Sequence, residues 1–258
     1  MTTKLVTLPA QYPISLSEAK KQCEIDDDDT AHDTYIKSLI MAATGRAEQY
    51  LHRRLVSQTW KLYLDTWPVE NMIILPFGRL QSVTSIKYTD SDGDEITWDN
   101  DNYIVNTNSE HGQVVLGHGK TWPTETLYPS NPIKIEFVCG YYIGDTWVKE
   151  TEYTENTYVL PIAENGLAYK CTTALTSNAT TPAWPLNIGG IVTDGVGETA
   201  GVWTCAGLAV PEPIRHAVKL VISDLFENRE TEQYLSSHTK LKTFENLLFP
   251  YKLFGGAS

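Results

Sequence analysis

The chain has 258 residues, a formal net charge of −12, 41% hydrophobic residues and 20% charged residues. That is ordinary globular usage, with enough length to bury a core without disulfides or metals and to form one large domain or two small ones. The acidic balance argues against a protein that grips phosphates over its surface, because such binding draws on Lys and Arg, but it allows one that surrounds DNA without holding it.

No run of about 18 apolar residues occurs, so no membrane span is predicted. Residues 1–13 lack the apolar stretch and small-residue cleavage site of a signal peptide, and the expectation is a protein made and used in a cytoplasm. The first predicted element is a helix. Ser15-Leu16-Ser17-Glu18 matches a capping box, in which the serine caps the first turn and the glutamate reaches back. Leu16, Ala19 and Cys23 follow at helical spacing. Asp26, Asp27, Asp28 and Asp29 interrupt. A longer helix comes next, with Tyr35, Ile36, Leu39, Ile40, Ala43, Ala47, Tyr50 and Leu51 on one stripe.

Residues 58–143 read as strands. Trp60, Leu62 and Leu64 alternate with Lys61, Tyr63 and Asp65. Asn71–Leu75 is a short apolar run. Val83–Thr89 enters the turn signal Asp90-Ser91-Asp92-Gly93-Asp94, and Glu95–Trp98 returns from it, which predicts a hairpin. Gly112–Leu116 is a further short strand. Ile133, Ile135, Phe137 and Cys139 alternate with polar or smaller neighbours.

Residues 144–208 change character. Their only basic residues are Lys149 and Lys170, and Thr, Gly and Asn are abundant. Thr157–Leu160, Leu167–Thr172 and Val202–Cys205 read as short strands. Helix returns after Pro211 and Pro213, which sit where a helix start tolerates proline. Ile214, Ala217, Val218, Val221, Ile222, Leu225 and Phe226 keep helical spacing. Leu241, Phe244, Leu247 and Leu248 suggest a shorter amphipathic segment, and an apolar tail, Phe249–Phe254, ends the chain in flexible small residues.

Few constellations carry chemistry. Gly117-His118-Gly119-Lys120-Thr121 lacks the earlier glycine of a phosphate loop, where Val114 stands, and Trp122-Pro123 follows in place of a helix. The Asp90–Asp94 turn places Gly93 too early for a calcium loop. The six histidines form no H-E-x-x-H pattern and none pairs with a cysteine at ligand spacing. The four cysteines are widely spaced, and free thiols are expected. No catalytic cluster, metal site or cofactor is predicted. Trp147, Tyr169, Trp184 and Trp203 have two readings: aromatic faces that stack on a glycan or partner, or the core of a small module.

The ordered series of motifs resembles the head-tail connector proteins of tailed phages, the group related to the gp6-like and phiE125 gp8-like proteins. The resemblance rests on Pro13–Lys20, on Ala42-Ala43-Thr44-Gly45-Arg46-Ala47-Glu48-Gln49-Tyr50, and on Gln58-Thr59-Trp60. Leu80–Ile86, Phe137-Val138-Cys139-Gly140-Tyr141 and Val210–Ala217 continue it. It covers roughly residues 10–143 and 209–252. Residues 144–208 stand where the family has a short loop, and are similar to a small β-module of phage structural proteins.

The resemblance implies an α+β fold, with a bundle of N- and C-terminal helices, a mostly antiparallel β-region, and an inserted all-β module. The expected organisation is connector core at 1–143, module at 144–208, and core helices with a portal-binding tail at 209–258. It implies a non-enzymatic ring, usually twelve-fold, beneath the portal protein at the head-tail interface of the virion. Such a ring is assembled in the host bacterial cytoplasm, extends the DNA channel without sequence-specific binding, and docks tail or tail-completion proteins. Asp26–Asp29 become candidates for the channel face, with the outer rim as the alternative. Phe249, Tyr251 and Phe254 become candidate portal contacts, with a tail folded back on the chain as the alternative. The rival function is a carbohydrate-binding decoration or receptor-binding protein that uses the aromatics of residues 144–208.

Overall fold

A computed structural model describes residues 1–9, 12–141, 144–163, 165, 167–207, 210–228 and 242–255. The chain is α+β and divides into two compact units. The first takes Met1–Pro9, Glu48–Tyr141 and Tyr251–Ser258; the second takes Ala10–Ala47 and Tyr142–Pro250.

Alternation builds the first unit. Strands β1 (Thr2–Thr7), β2 (Gln58–Leu64), β3 (Met72–Ile74), β4 (Leu80–Thr89), β5 (Glu95–Trp98), β6 (Tyr103–Asn106), β7 (Gln113–Leu116) and β8 (Ile133–Cys139) form two sheets. One has the order β1-β2-β8-β4-β5 and the other β3-β7-β6, and every pair in both is antiparallel. Along β8 every second residue is buried, the period-2 pattern of a strand with one face in the core. Trp60 faces Phe137 and Leu62 faces Ile135 across the β2–β8 ladder. Leu62, Leu75, Ile86, Val114, Ile133, Ile135 and Phe137 have no exposure and form the centre of this core. The β4–β5 hairpin closes as its aspartates predict, because the Asp90 carboxylate accepts from the N–H groups of Asp92 and Asp94.

The sequence reading has no strand before Ser15, but β1 pairs with β2 through Thr2–Thr7. Its sequence has no apolar alternation to mark a strand, and none of its side chains is fully buried; the ladder holds it rather than burial.

The second unit holds the helices. Helix α1 (Leu16–Gln22) starts on the predicted capping box: Ser15 Oγ accepts from Glu18 N at 3.3 Å, and Ser15 N donates to Glu18 Oε2 at 3.1 Å. Helix α2 spans Asp33–Leu51, and the division between the units falls within it. Helix α3 (Glu212–Glu227) buries Ile214, Ala217, Val218, Val221 and Ile222, the predicted stripe. Its Arg215 is buried and joins the chain's two ends. Nε donates to Pro13 O at 3.0 Å, Nη1 to Glu212 at 2.7 Å, and Nη2 pairs with Glu18. Gln22 bonds Ser223 at 2.9 Å, and the rings of Tyr35 and Phe226 lie 6.2 Å apart. Helix α4 (Thr243–Leu248) buries Leu248, and Arg46 lies over the Phe244 ring at 5.0 Å. Leu241 of the predicted stripe falls outside the described residues.

The rest of the second unit is a β-module with its own core. Strands β9 (Asp145–Thr146), β10 (Glu152–Tyr153), β11 (Tyr158–Leu160), β12 (Ala168–Thr173), β13 (Leu175–Thr176), β14 (Ile191–Asp194) and β15 (Gly201–Gly207) form it. The main sheet has the order β14-β15-β12-β11-β9, and β10 pairs with β13.

Candidate functional site

The module is built around one carboxylate. Asp194 ends β14 and is buried. Its Oδ2 accepts from Trp147 Nε1 at 2.9 Å and Trp203 Nε1 at 3.0 Å; its Oδ1 accepts from the backbone N–H of Asn178 at 2.9 Å and of Gly195 at 2.8 Å. Four neutral donors replace the water a carboxylate would otherwise hold. Gly195 has φ +89°, and a Cβ there would lie 2.6 Å from Thr176 O, so glycine alone lets the backbone close on this acid.

That arrangement decides how the module's aromatics are placed. Trp147, Tyr169 and Trp203 are 2%, 0% and 0% exposed. Tyr169 also donates to Pro185 O at 2.8 Å. Trp184 is half-buried, with its ring 4.4 Å from Tyr169 and 6.0 Å from Trp203. The stacking reading is therefore corrected for Trp147, Tyr169 and Trp203. Their faces are covered by the module's core, which has few other large side chains to fill it. Among the module's described residues the exposed large apolar side chains are Val148, Ile162, Leu186, Ile188, Ile191 and Val196, which alternation alone did not single out.

The acidic run forms the bend between α1 and α2. Asp26, Asp27 and Asp28 are exposed, while Asp29 is half-exposed. Asp27 accepts from Ser17 Oγ at 2.9 Å, and its carbonyl accepts from Lys20 Nζ at 3.0 Å. The Ala31 N–H and then His32 hold the Asp29 carboxyl below the usual aspartate range. Lys20, itself buried, also pairs with Asp33 at 2.5 Å. Asp26 and Asp28 carry their charge on the surface, whereas Asp27 and Asp29 also fasten the bend.

The tail lies on the first unit. Arg53 is buried just beyond α2 and donates from Nε to Tyr251 O at 2.7 Å and from Nη2 to Glu110 at 2.9 Å. Leu253 N donates to Leu51 O at 2.9 Å, and the Leu253 side chain is buried. His111 Nε2 meets Phe254 O at 3.1 Å; a carbonyl only accepts, so Nε2 carries the proton. Lys252 stands 4.7 Å over the Tyr50 ring. Of the three predicted contacts, Tyr251 is half-buried, while Phe249 and Phe254 are 59% and 60% exposed. Arg53, His111 and Leu253 carry no pattern that sequence reading could isolate, since their partners lie far along the chain.

A second polar hub underlies this region. Glu48, buried, accepts from Leu55 N at 2.8 Å, Gln58 Nε2 at 3.1 Å and Arg54 Nη1 at 3.0 Å. The Arg54 guanidinium also lies 4.5 Å from the Trp60 ring and 4.1 Å from Phe77. Among the described residues, no three His, Cys, Asp or Glu side chains gather as metal ligands, and no helix is long and apolar enough to cross a membrane. The Gly117–Lys120 segment is a turn closed by Lys120 N on Gly117 O, without a helix after it.

The geometry thus offers polar fasteners, a docked tail and covered aromatics. Residues 13–109 match the family of phage gp6-like head-tail connector proteins. The match runs from the capping box of α1 to just beyond β6, and so includes the acidic bend and the Glu48 hub. Three chains from solved particles share the fold over 99% of both chains at 15% identity. One is from the "Neck of empty GTA particle computed with C6 symmetry", with a TM-score of 0.63. Another is from the "Virion of native gene transfer agent (GTA) particle", at 0.61. The third is from the "Neck of native GTA particle computed with C12 symmetry", at 0.57. No curated protein matches the chain.

Proposed function

We propose that this protein is a structural head-to-tail connector of a tailed phage or phage-like particle. The observation that carries this reading is a coincidence of two matches. The connector family match falls on residues 13–109, and the likeness to particle-neck chains runs over nearly the whole chain. In this reading copies of the chain form a ring, twelve-fold in the expected case, beneath the portal protein. The ring extends the DNA channel and offers its far side to tail or tail-completion proteins. Its work is assembly, not catalysis, and it happens in the host bacterial cytoplasm before the virion leaves.

The charge supports a channel role, since an acidic wall repels phosphates and lets DNA slide. Asp26 and Asp28 are the best-placed members of the acidic run for that wall, being exposed, whereas Asp27 and Asp29 also fasten the bend. Phe249 and Phe254 suit the portal contact, because aromatic anchors that project from a held segment can fill partner pockets. The module's aromatics lend the glycan-binding alternative little support, because three of the four are interior.

The test is to mix purified chain with the portal of its particle, then measure mass and image the product. A ring stacked coaxially on the portal is the expected product. A monomer that ignores the portal but is retained on a glycan array through residues 144–208 would overturn the connector reading.

A further inference from the structure

The tail contacts have a property that goes beyond fastening. Three polar links engage the main chain of Tyr251–Phe254: Arg53 on Tyr251 O, Leu51 O on Leu253 N, and His111 on Phe254 O. One side chain, Leu253, fills the groove. At its floor is Gly78 (φ +60°), where a Cβ would stand 3.2 Å from Leu253 Cδ2 and 3.0 Å from Glu110 O. A site that reads main chain plus one leucine recognises a short segment by its backbone, much as peptide-capturing grooves do, with one side-chain pocket for specificity.

We propose that the groove formed by Leu51, Arg53, Gly78, Glu110 and His111 is a tail-exchange site. It holds the chain's own Tyr251–Phe254 in an isolated subunit and takes the same segment from a second copy when copies lie side by side. Each copy carries one groove and one tail, so exchange leaves no groove empty and makes the same bonds twice over. Swapping an identical element in this way is a low-cost route to association. In a lone subunit the tethered tail wins, because its effective concentration is on the order of millimolar. Between adjacent copies the neighbour's tail reaches a similar local concentration and competes. Exchange is a property of the chain itself, and it would stand or fall whether or not the portal is the partner.

The experiment places the two halves of the contact on different chains. Full-length Tyr50→Cys and full-length Lys252→Cys, both with Cys23→Ser, are mixed at high concentration and treated with a short bis-maleimide. A chain carrying both new cysteines is the control for reach, and it should give a cross-linked monomer. Exchange predicts a cross-linked heterodimer in the mixture. Adding Leu253→Asp to the Lys252→Cys chain should lower that yield at least about tenfold, because the groove cannot take a charged side chain. A synthetic peptide of residues 249–258 should also bind the full-length Leu253→Asp chain more tightly than the wild-type chain, whose groove is filled. It should lose that gain when Arg53→Met is added. A heterodimer yield no higher than the Leu253→Asp mixture, in chains whose double-cysteine control cross-links, would overturn the proposal.

Discussion

Glu48 and Asp194 are both buried carboxylates, and the two units of the molecule satisfy them in opposite ways. Glu48 has a cation beside it: Arg54 pairs with it at 3.0 Å and is itself stacked on Trp60 and Phe77. Among the described residues Asp194 is held by no cation but by two indoles and two backbone N–H groups. The difference follows from composition. The module has little positive charge to spend, with Lys149 and Lys170 its only basic residues, but it has tryptophans. An indole is a donor and never an acceptor, so it pairs with a buried acid without needing a second partner of its own. A charge held by neutral donors fixes several strands at once, and it is also the more fragile, because no compensating charge remains if the geometry fails.

The sharpest way to break this comparison is Asp194→Asn. The amide presents donors to a site made of donors, so some buried N–H groups lose their acceptor. We expect a loss of about 3–5 kcal/mol in the module's stability. Urea denaturation followed by tryptophan emission should then show the module unfolding ahead of the first unit. One unchanged transition would mean that the indoles do not need the charge. Glu48→Gln should cost less, about 1–3 kcal/mol, since one acceptor oxygen stays for Leu55 N while Arg54 keeps its aromatic stack. If Glu48→Gln costs as much as Asp194→Asn, the contrast between the two hubs is wrong.

Thiol labelling sharpens the same contrast. Burial pushes the Cys139 thiol up to about 12, and burial also raises Cys171. In the native chain only half-exposed Cys23 should react, slowly, because burial raises its pKa as well. In moderate urea the Asp194→Asn chain should expose Cys171 and Cys205 while Cys139 stays protected. Simultaneous labelling of all three would show that the units unfold together.

The smallest expected effect is electrostatic and lies on the sheet surface. The Lys134 bond and then the Lys87 bond pull Glu95 down from 4.5 to about 2. A lowered folded value means that the pair's contribution is complete above about pH 4.5 and is lost as pH falls towards 2. Glu95→Gln should flatten the urea midpoint across that window by a small amount, since the carboxylate is 39% exposed and screened. An unchanged pH profile would place the acid sensitivity elsewhere.

Local signals made much of this architecture legible. The Ser15–Glu18 box, the α3 stripe, the β8 alternation and the Asp90–Asp94 turn each act within a few residues, and each stands where the sequence places it. β1 was not legible because its pairing, rather than its own pattern, makes it a strand. Asp194-Gly195 reads as a mere turn, because the donors that give it meaning, Trp147 and Asn178, lie 47 and 16 residues earlier. The tail's groove is hidden for the same reason: Arg53 finds Tyr251 across 198 residues. A tryptophan's pattern likewise does not say whether its face will be covered; Trp147 and Trp203 lie in the module's core, with their N–H groups on the Asp194 carboxylate.

The sheet order of the module fixes where its chain comes in and goes out. β9 runs parallel to β11, and two antiparallel steps from β11 lead to β15, so β15 runs in the same direction as β9. The strand that opens the module and the one that closes it are three ladder spacings apart, about 14 Å. About five extended residues would bridge such a gap. A shortened protein with that bridge in place of residues 145–207 should therefore keep α3 paired with α1 through Gln22–Ser223 and Glu18–Arg215.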